Sequence, residues 1–198
     1  TGVQTCALPI YKKNWKKHFF DVLALAELQK ETYTGYYTTV SNFSTDKFGY
    51  NNLQAGALRL WEGTNSYYEQ PRLASFMGRF NYTYADRYVL TLNARTDASS
   101  KFGANHKWGF FPSASAAWVI SEEEFMKQFP VIDNLKFRIG YGLAGNQSGI
   151  DSYTTLNLVK PNGVVPVGNS AIVSLGDIRN TNPDLKWEVK HTFNTGFD

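Results

Sequence analysis

S-F-M-G-R-F-N-Y-T-Y, Ser75 to Tyr84, is followed by A-D-R at 85–87 and then by Y-V-L-T-L-N-A-R-T-D, Tyr88 to Asp97. Successive side chains of a strand point to opposite faces, so a period of two sorts each run into two sets. In the first run Phe76, Phe80, Tyr82 and Tyr84 share a side with Gly78, while Met77, Arg79, Asn81 and Thr83 take the other. In the second, Tyr88, Leu90, Leu92 and Ala94 oppose Val89, Thr91, Asn93, Arg95 and Asp97. The three-residue break Ala85-Asp86-Arg87 reads as a tight hairpin. A soluble antiparallel sheet with one wet face alternates in the same way, and three details separate the two readings. Each run is ten residues long, near the ~9–11 that a tilted strand needs to cross a bilayer. Tyr82, Tyr84 and Tyr88 crowd the turn end of the apolar face, where an interfacial girdle sits. Arg79, Asn81, Asn93, Arg95 and Asp97 occupy the other face, which a packed core would not accept unpaired. The pattern implies lipid outside and a wet or plugged lumen inside, with a one-sided soluble sheet as the alternative.

The bulk composition agrees. Of 198 residues 16% are aromatic, mostly Phe and Tyr, which suits strands and girdles better than a helical bundle. A net charge of +3 is too small to argue for nucleic acid. No run approaches the ~18 apolar residues of a membrane-crossing helix. A barrel hides from that test, because lumen residues dilute its hydrophobicity. Residues 1–10, T-G-V-Q-T-C-A-L-P-I, resemble the conceptual translation of a sequencing adapter and are set outside the fold. That removes Cys6, the one cysteine, and with it any disulfide, Cys-ligated metal or Cys nucleophile. Residues 11–198 read as an internal piece of a longer barrel.

Outward from the hairpin, residues 18–40 read as one long strand entering a loop, with a helix over Leu23 to Gln29 as the competitor. Residues 41–72 form a long loop with a short strand pair around Leu53 to Trp61, and 98–107 a turn. Pro112, Ala114, Ala116, Trp118 and Ile120 alternate with Ser113, Ser115, Ala117 and Val119. Ser121 starts a short helix, closed by a capping box to Glu124, with Phe125, Met126 and Phe129 as its apolar side and Pro130 as its end. Leu135, Phe137, Ile139, Tyr141 and Leu143 oppose Lys136, Arg138, Gly140 and Gly142. Residues 148–184 are a second long stretch, and a last strand begins at Leu185. Following the direction reversals, 85–87 and 121–134 fall at one end of the strands, and 41–72, 98–107 and 148–184 at the other. Outer-membrane barrels sort their loops in this way.

Four pieces of the chain resemble SusC/RagA-type TonB-dependent outer-membrane transporters. They are S-F-M-G-R-F-N-Y-T-Y-A-D-R-Y-V-L-T-L-N-A-R-T-D-A-S-S-K-F-G, W-G-F-F-P-S-A-S-A-A-W-V-I-S-E-E-E-F-M, L-K-F-R-I-G-Y-G-L-A-G-N-Q and N-P-D-L-K-W-E. The resemblance covers Phe76 to Trp187 well and Lys16 to Gln29 loosely. It implies an all-β fold: about six antiparallel strands of a 22-stranded transmembrane barrel, with the short helix in a periplasmic turn. It further implies a missing N-terminal plug, energy from TonB, a SusD-like lipoprotein lid, oligosaccharide or peptide substrates, no cofactor and an outer-membrane location.

The alternative from another class is a soluble or surface carbohydrate-binding β-domain that stacks sugars on Trp61, Tyr67, Tyr68 and Trp108. A barrel leaves Phe80, Leu90, Leu92, Phe137 and Ile139 facing lipid, whereas a sandwich buries them under a second sheet. An enzyme finds little support. His18, His106 and His191 lack metal-ligand spacing, and no Gly-rich phosphate loop stands between a strand and a helix. Candidate ligand contacts in the external loops are Trp61, Tyr67, Tyr68, Lys101, Phe102 and His106. Arg79, Asn81, Asn93, Arg95, Asp97 and Arg138 face the lumen, where the arginines meet lumen acids or the plug.

Overall fold

The computed structural model describes residues 2–129, 131–177 and 179–198, without the side chains of Val3, Leu60, Trp61 and Glu62. Pro130, expected to end a helix, lies outside the described residues. The strands are β1 (Gly2–Ala7), β2 (Ile10–Trp15), β3 (His18–Glu31), β4 (Tyr33–Ser41), β5 (Leu58–Glu69) and β6 (Arg72–Tyr84). They continue with β7 (Tyr88–Ser99), β8 (Trp108–Val119), β9 (Lys136–Asn146), β10 (Val159–Val167), β11 (Ser170–Asp177) and β12 (Glu188–Phe197). The main sheet is an antiparallel meander in the order β3-β6-β7-β8-β9-β12. β1 and β2 follow each other along the outer side of β3 in a single register, from Gly2↔Glu31 to Trp15↔His18. Pro9, which has no N–H to donate, lies at the interruption between them. The hairpins β4–β5 and β10–β11 stand apart, each as its own two-stranded sheet.

The central hairpin forms as its alternation predicts. Phe80 lies opposite Leu92, Tyr82 opposite Leu90, and Arg79 opposite Asn93. The turn is closed by Arg87 N–H donating to the Tyr84 carbonyl at 3.0 Å. Ala85 and Asp86 both take left-handed backbone, at φ 50° and 58°. That is the hairpin geometry whose twist matches the strands. Leu23 to Gln29 is strand, not helix. Residues 18–40 are not one strand, however. Pro71 precedes β6 and cannot donate, so the β3–β6 ladder stops at Lys30↔Arg72 and the chain departs into β4. The strand pair expected near Leu53 is the longer hairpin β4–β5, carrying a 3-10 turn at Gly49–Ala55. The last strand starts at Glu188, three residues later than Leu185.

The residues after Ser121 also differ from expectation. They form two short 3-10 helices, Ile120–Glu122 and Glu124–Gln128, and neither has a side-chain cap. Ser121 lies inside the first of them, so the capping box does not form. Met126 is buried, but Phe125 and Phe129 are exposed. Glu123 is occupied elsewhere. Its carboxylate accepts from Tyr88 Oη at 2.6 Å and Trp118 Nε1 at 3.0 Å, and pairs with Arg87 Nη1 at 3.0 Å.

The outer face of the sheet is apolar and uncovered: Leu92 is 42% exposed, Ile139 40% and Phe197 67%. A sandwich would bury these side chains. The buried apolar residues are instead Phe102, Phe111 and Met126, all off that face. Aromatic rings line both margins. At the short-turn end His18, Tyr84, Tyr88 and Trp118 run ring to ring, with centroids 5.0, 6.3 and 6.5 Å apart. At the long-loop end Phe76 stacks on Trp108 at 6.2 Å. Trp108 and Trp118 are the margins of β8. Ten residues at ~3.4 Å each, tilted by ~40°, span about 26 Å, close to the ~25 Å apolar band of a membrane barrel. The turns at 16–17, 85–87 and 120–135 share one end, and the segments 32–71, 100–107 and 147–187 the other, so the expected sorting holds.

Two outcomes follow for the full-length protein. Arginine at Leu92, near mid-strand on the outer face, should cost about 2–4 kcal/mol of barrel stability. Arginine at neighbouring Thr91, on the inner face, should cost far less; urea titration of the folded barrel band on unheated gels compares them. The hydrogen bond from Tyr88, then that from Trp118, holds the Glu123 carboxyl below its ordinary range, with Arg87 adding to the effect. A lowered folded value stabilises above the unfolded value of ~4.3 and is lost as pH falls through the folded value. E123Q should therefore weaken the barrel at neutral pH and converge with the parent in acid, as read by unfolding midpoints from pH 7 to pH 3.

Candidate functional site

The inner face carries a polar ladder that crosses the strands. Asn81 Nδ2 donates to Asp21 Oδ1 at 3.2 Å, and Lys12 Nζ stands 3.7 Å from Asp21 Oδ2. Arg79 Nε donates to Asn93 Oδ1 at 2.8 Å, and Asn93 Nδ2 passes the chain on to Ser113 Oγ at 3.0 Å. Arg95 Nε bridges both oxygens of Asp97, at 3.0 and 2.8 Å, while Arg95 Nη2 reaches Ser75 Oγ at 3.3 Å. Arg138 Nη2 pairs with Asp198 at 2.6 Å. Two of the three lumen arginines thus meet carboxylates, and Arg79 meets an amide. Small residues keep the wall thin toward β9, where Gly140 faces Ser115 and Gly142 faces Ser113. A concavity of about 530 Å³ opens on this wall between Met77, Arg79, Arg95, Phe111, Ser113 and Trp187.

Above it the loops are held by a small buried cluster. Phe102 packs on Trp187 with ring centroids 4.6 Å apart, and Phe111 meets Trp187 edge-on at 5.4 Å. Trp187 Nε1 donates to the Lys107 carbonyl at 2.9 Å, and Gly103 N–H to the Leu185 carbonyl at 3.0 Å. Two glycines leave no room for a side chain, Gly103 against backbone and Gly145 against the Phe111 ring. A Cβ at Gly103 would fall 1.8 Å from the Pro183 carbonyl oxygen, and one at Gly145 would fall 2.1 Å from Phe111 Cζ. Ser75, Asp97 and Ser99 are buried along the same wall. The pieces K-F-G, W-G-F-F, G-L-A-G-N-Q and N-P-D-L-K-W-E, far apart in sequence, therefore meet at one place.

The six loop residues proposed as ligand contacts do not share one cavity among the described residues. The backbone of Trp61 lies in β5, and its side chain is outside the description. Tyr67 and Tyr68 are half-exposed on β5; the ring of Tyr67 lies across Gly35, and Tyr68 Oη accepts from Gln70 Nε2 at 2.9 Å. Lys101 borders a separate hollow of about 300 Å³ with Glu31, Glu69 and Asp151. His106 Nε2 stands 3.9 Å from Asp184. Phe102 is 1% exposed; its ring is spent on Trp187, and it is a packing residue rather than a contact for ligand. Sequence reasoning missed the packing role of Trp187, Phe111 and Gly103. The signal for it was N-P-D-L-K-W-E, whose tryptophan sits in an otherwise polar loop.

A one-sided antiparallel wall with a lipid-type exterior, a hydrogen-bonded polar interior and long loops at one end defines a segment of membrane β-barrel. Residues 10–198 match the family model described as TonB dependent receptor-like, beta-barrel, and the chain belongs to that family. It is 36% identical over 190 residues to TonB-dependent receptor P3 of Formosa agariphila, covering 95% of this chain and 18% of that protein. It is 37% identical over 136 residues to TonB-dependent receptor SusC of Bacteroides thetaiotaomicron, covering 67% of this chain and 14% of SusC. Among solved structures it is similar to the RagAB peptide transporter, with a TM-score of 0.73 at 26% identity over 99% of this chain and 21% of that one. The SusC/RagA resemblance of the sequence is thereby confirmed, and the chain spans about a fifth of the length of these relatives.

Gly103→Ala tests the loop base. The methyl group meets a backbone carbonyl, so the variant should lose about 1–3 kcal/mol locally. In the full-length protein, limited proteolysis should then cut faster within 147–187 while the barrel band stays intact.

Proposed function

We propose that the chain is part of the wall of an outer-membrane importer, energised through TonB, that takes up oligosaccharides or peptides beneath a SusD-like lipoprotein lid. The observation that carries this is the two-faced sheet: half-exposed apolar side chains outside, and a ladder from Asp21 to Ser113 inside. The family supplies the class, and the similarity to SusC and to the RagAB peptide transporter supports import of a nutrient. The carbohydrate-binding β-domain loses its footing, since no second sheet covers Leu90, Leu92 or Ile139 among the described residues. The family match begins at residue 10, so residues 1–9 lie outside it, although Gly2–Ala7 pair with β3 in the structure.

In this reading the inner ladder seats the plug. Arg79, bonded to an amide, is the one of the three lumen arginines with no carboxylate partner among the described residues and is free to meet a plug carboxylate, while the Arg95–Asp97 pair shapes the wall beside it. Tyr67, Tyr68, Lys101 and His106 remain loop positions within reach of substrate or lid. The test is uptake by cells carrying the full-length gene, with and without a functional TonB and the neighbouring lipoprotein gene. Uptake that persists without TonB overturns the reading. Arg95→Ala should lower folded yield or loosen the plug, seen as increased leakage of small antibiotics, while leaving the choice among oligosaccharide and peptide substrates unchanged.

A further inference from the structure

The turn between β8 and β9 exposes apolar side chains that packing does not use. Phe125 is 50% exposed, Phe129 56% and Ile132 44%. Its position is set by Glu123. The carboxylate bonds Tyr88 Oη and Trp118 Nε1, and both of those rings belong to the outer aromatic margin, stacked 6.5 Å apart. Tyr88 and Trp118 pair directly across the strands, on the same face as Leu90 and Leu92. Glu123 is thereby tied to two rings of the outer face, and the exposed Phe125 follows it by only two residues. Lys127 Nζ pairs with Glu124 at 2.7 Å within the turn.

We propose that this turn is an interfacial anchor, with Phe125, Phe129 and Ile132 seated at the headgroup–acyl boundary of the leaflet on the short-turn side. The proposal rests on the barrel reading of the chain. Its occupant is lipid because Glu123 ties the segment to two rings of the lipid-type face, and because aromatic rings are enriched at that depth. Glu123 acts as a positioning residue that holds the segment down.

Nitroxide labels test it in the full-length transporter, with native cysteines replaced by serine and the protein reconstituted in phosphatidylcholine–phosphatidylglycerol vesicles. Labels are placed singly at Phe125→Cys and Phe129→Cys, with Ile139→Cys on the outer wall and Asn51→Cys in a long loop as references. Barrel formation is checked for each by the gel shift on heating; if one turn variant fails to fold, the other decides. Dissolved oxygen should relax the turn labels more strongly than a water-soluble nickel chelate, as at position 139 and opposite to position 51. Adding E123Q should shift the turn labels toward the nickel response. Nickel accessibility at 125 and 129 without E123Q overturns the anchor in favour of water, and inaccessibility to both reagents overturns it in favour of protein cover. If position 139 itself responds to nickel, the barrel reading fails and takes the anchor with it.

Discussion

Inside a bilayer each backbone N–H and C=O must find its partner within the protein, because hydrocarbon offers none. The antiparallel meander meets this demand over six consecutive strands, from β3 to β12. Most other features of the chain follow from it. Proline is admitted only where a ladder bond is dispensable: Pro9 at a strand interruption, Pro71 just outside β6. Pro112 departs from this, sitting within β8 opposite Ala94, and Pro161 and Pro166 lie within β10 of the separate hairpin. Once the ladder is fixed, a period of two decides which side chains meet lipid and which meet the lumen. A slip of one residue would carry Arg79 and Arg95 into hydrocarbon.

The inner face then has its own accounting. Charged and amide groups on a thin wall are tolerable because they bond sideways, strand to strand. Asp21, Asn81, Arg79, Asn93 and Ser113 use neighbours on adjacent strands, and Arg95 uses Asp97 two residues along its own strand. Burial concentrates where the ladder runs up into the loops, at Ser75, Asp97 and Ser99, under Phe102 and Phe111. The nearest thing to a hydrophobic core in this segment thus lies at the base of the long loops and not within the sheet.

Strand existence, face and loop side were legible because each depends on a period or on a count of reversals. The alternation of Leu135 to Leu143 and of Tyr88 to Ala94 survives any change of partner. What was hidden depends on partners far away in sequence. Phe102 reads as one more loop aromatic until Trp187 arrives from beyond β11. Gly103 reads as turn chemistry until Pro183 lies against it. Glu124 fits a capping box on spacing alone, but the neighbouring Glu123 meets Tyr88, Trp118 and Arg87 from across the sheet, and the turn winds as 3-10 around it. Three bonds to one carboxylate outweigh a cap, which is typically about 1 kcal/mol.

The two ends of the sheet are secured by different physics, and chain length explains the difference. At the short-turn end only 16–17, 85–87 and 120–135 are available. So little chain cannot enclose a core. The margin is tied by point contacts instead: His18 Nδ1 to Tyr82 Oη at 2.8 Å, and the Glu123 hub. Such bonds are strong where rings with a polar tip sit half in lipid. At the other end, segments of tens of residues can fold back, and they build a packed cluster around Trp187, where the Pro183 backbone excludes a Cβ at Gly103 and the Phe111 ring one at Gly145. A margin made of hydrogen bonds responds to pH and to the polarity of its surroundings. A margin made of packing responds to volume. The long loops can therefore change in sequence while their base stays rigid, and the opposite rim can stay thin without coming loose.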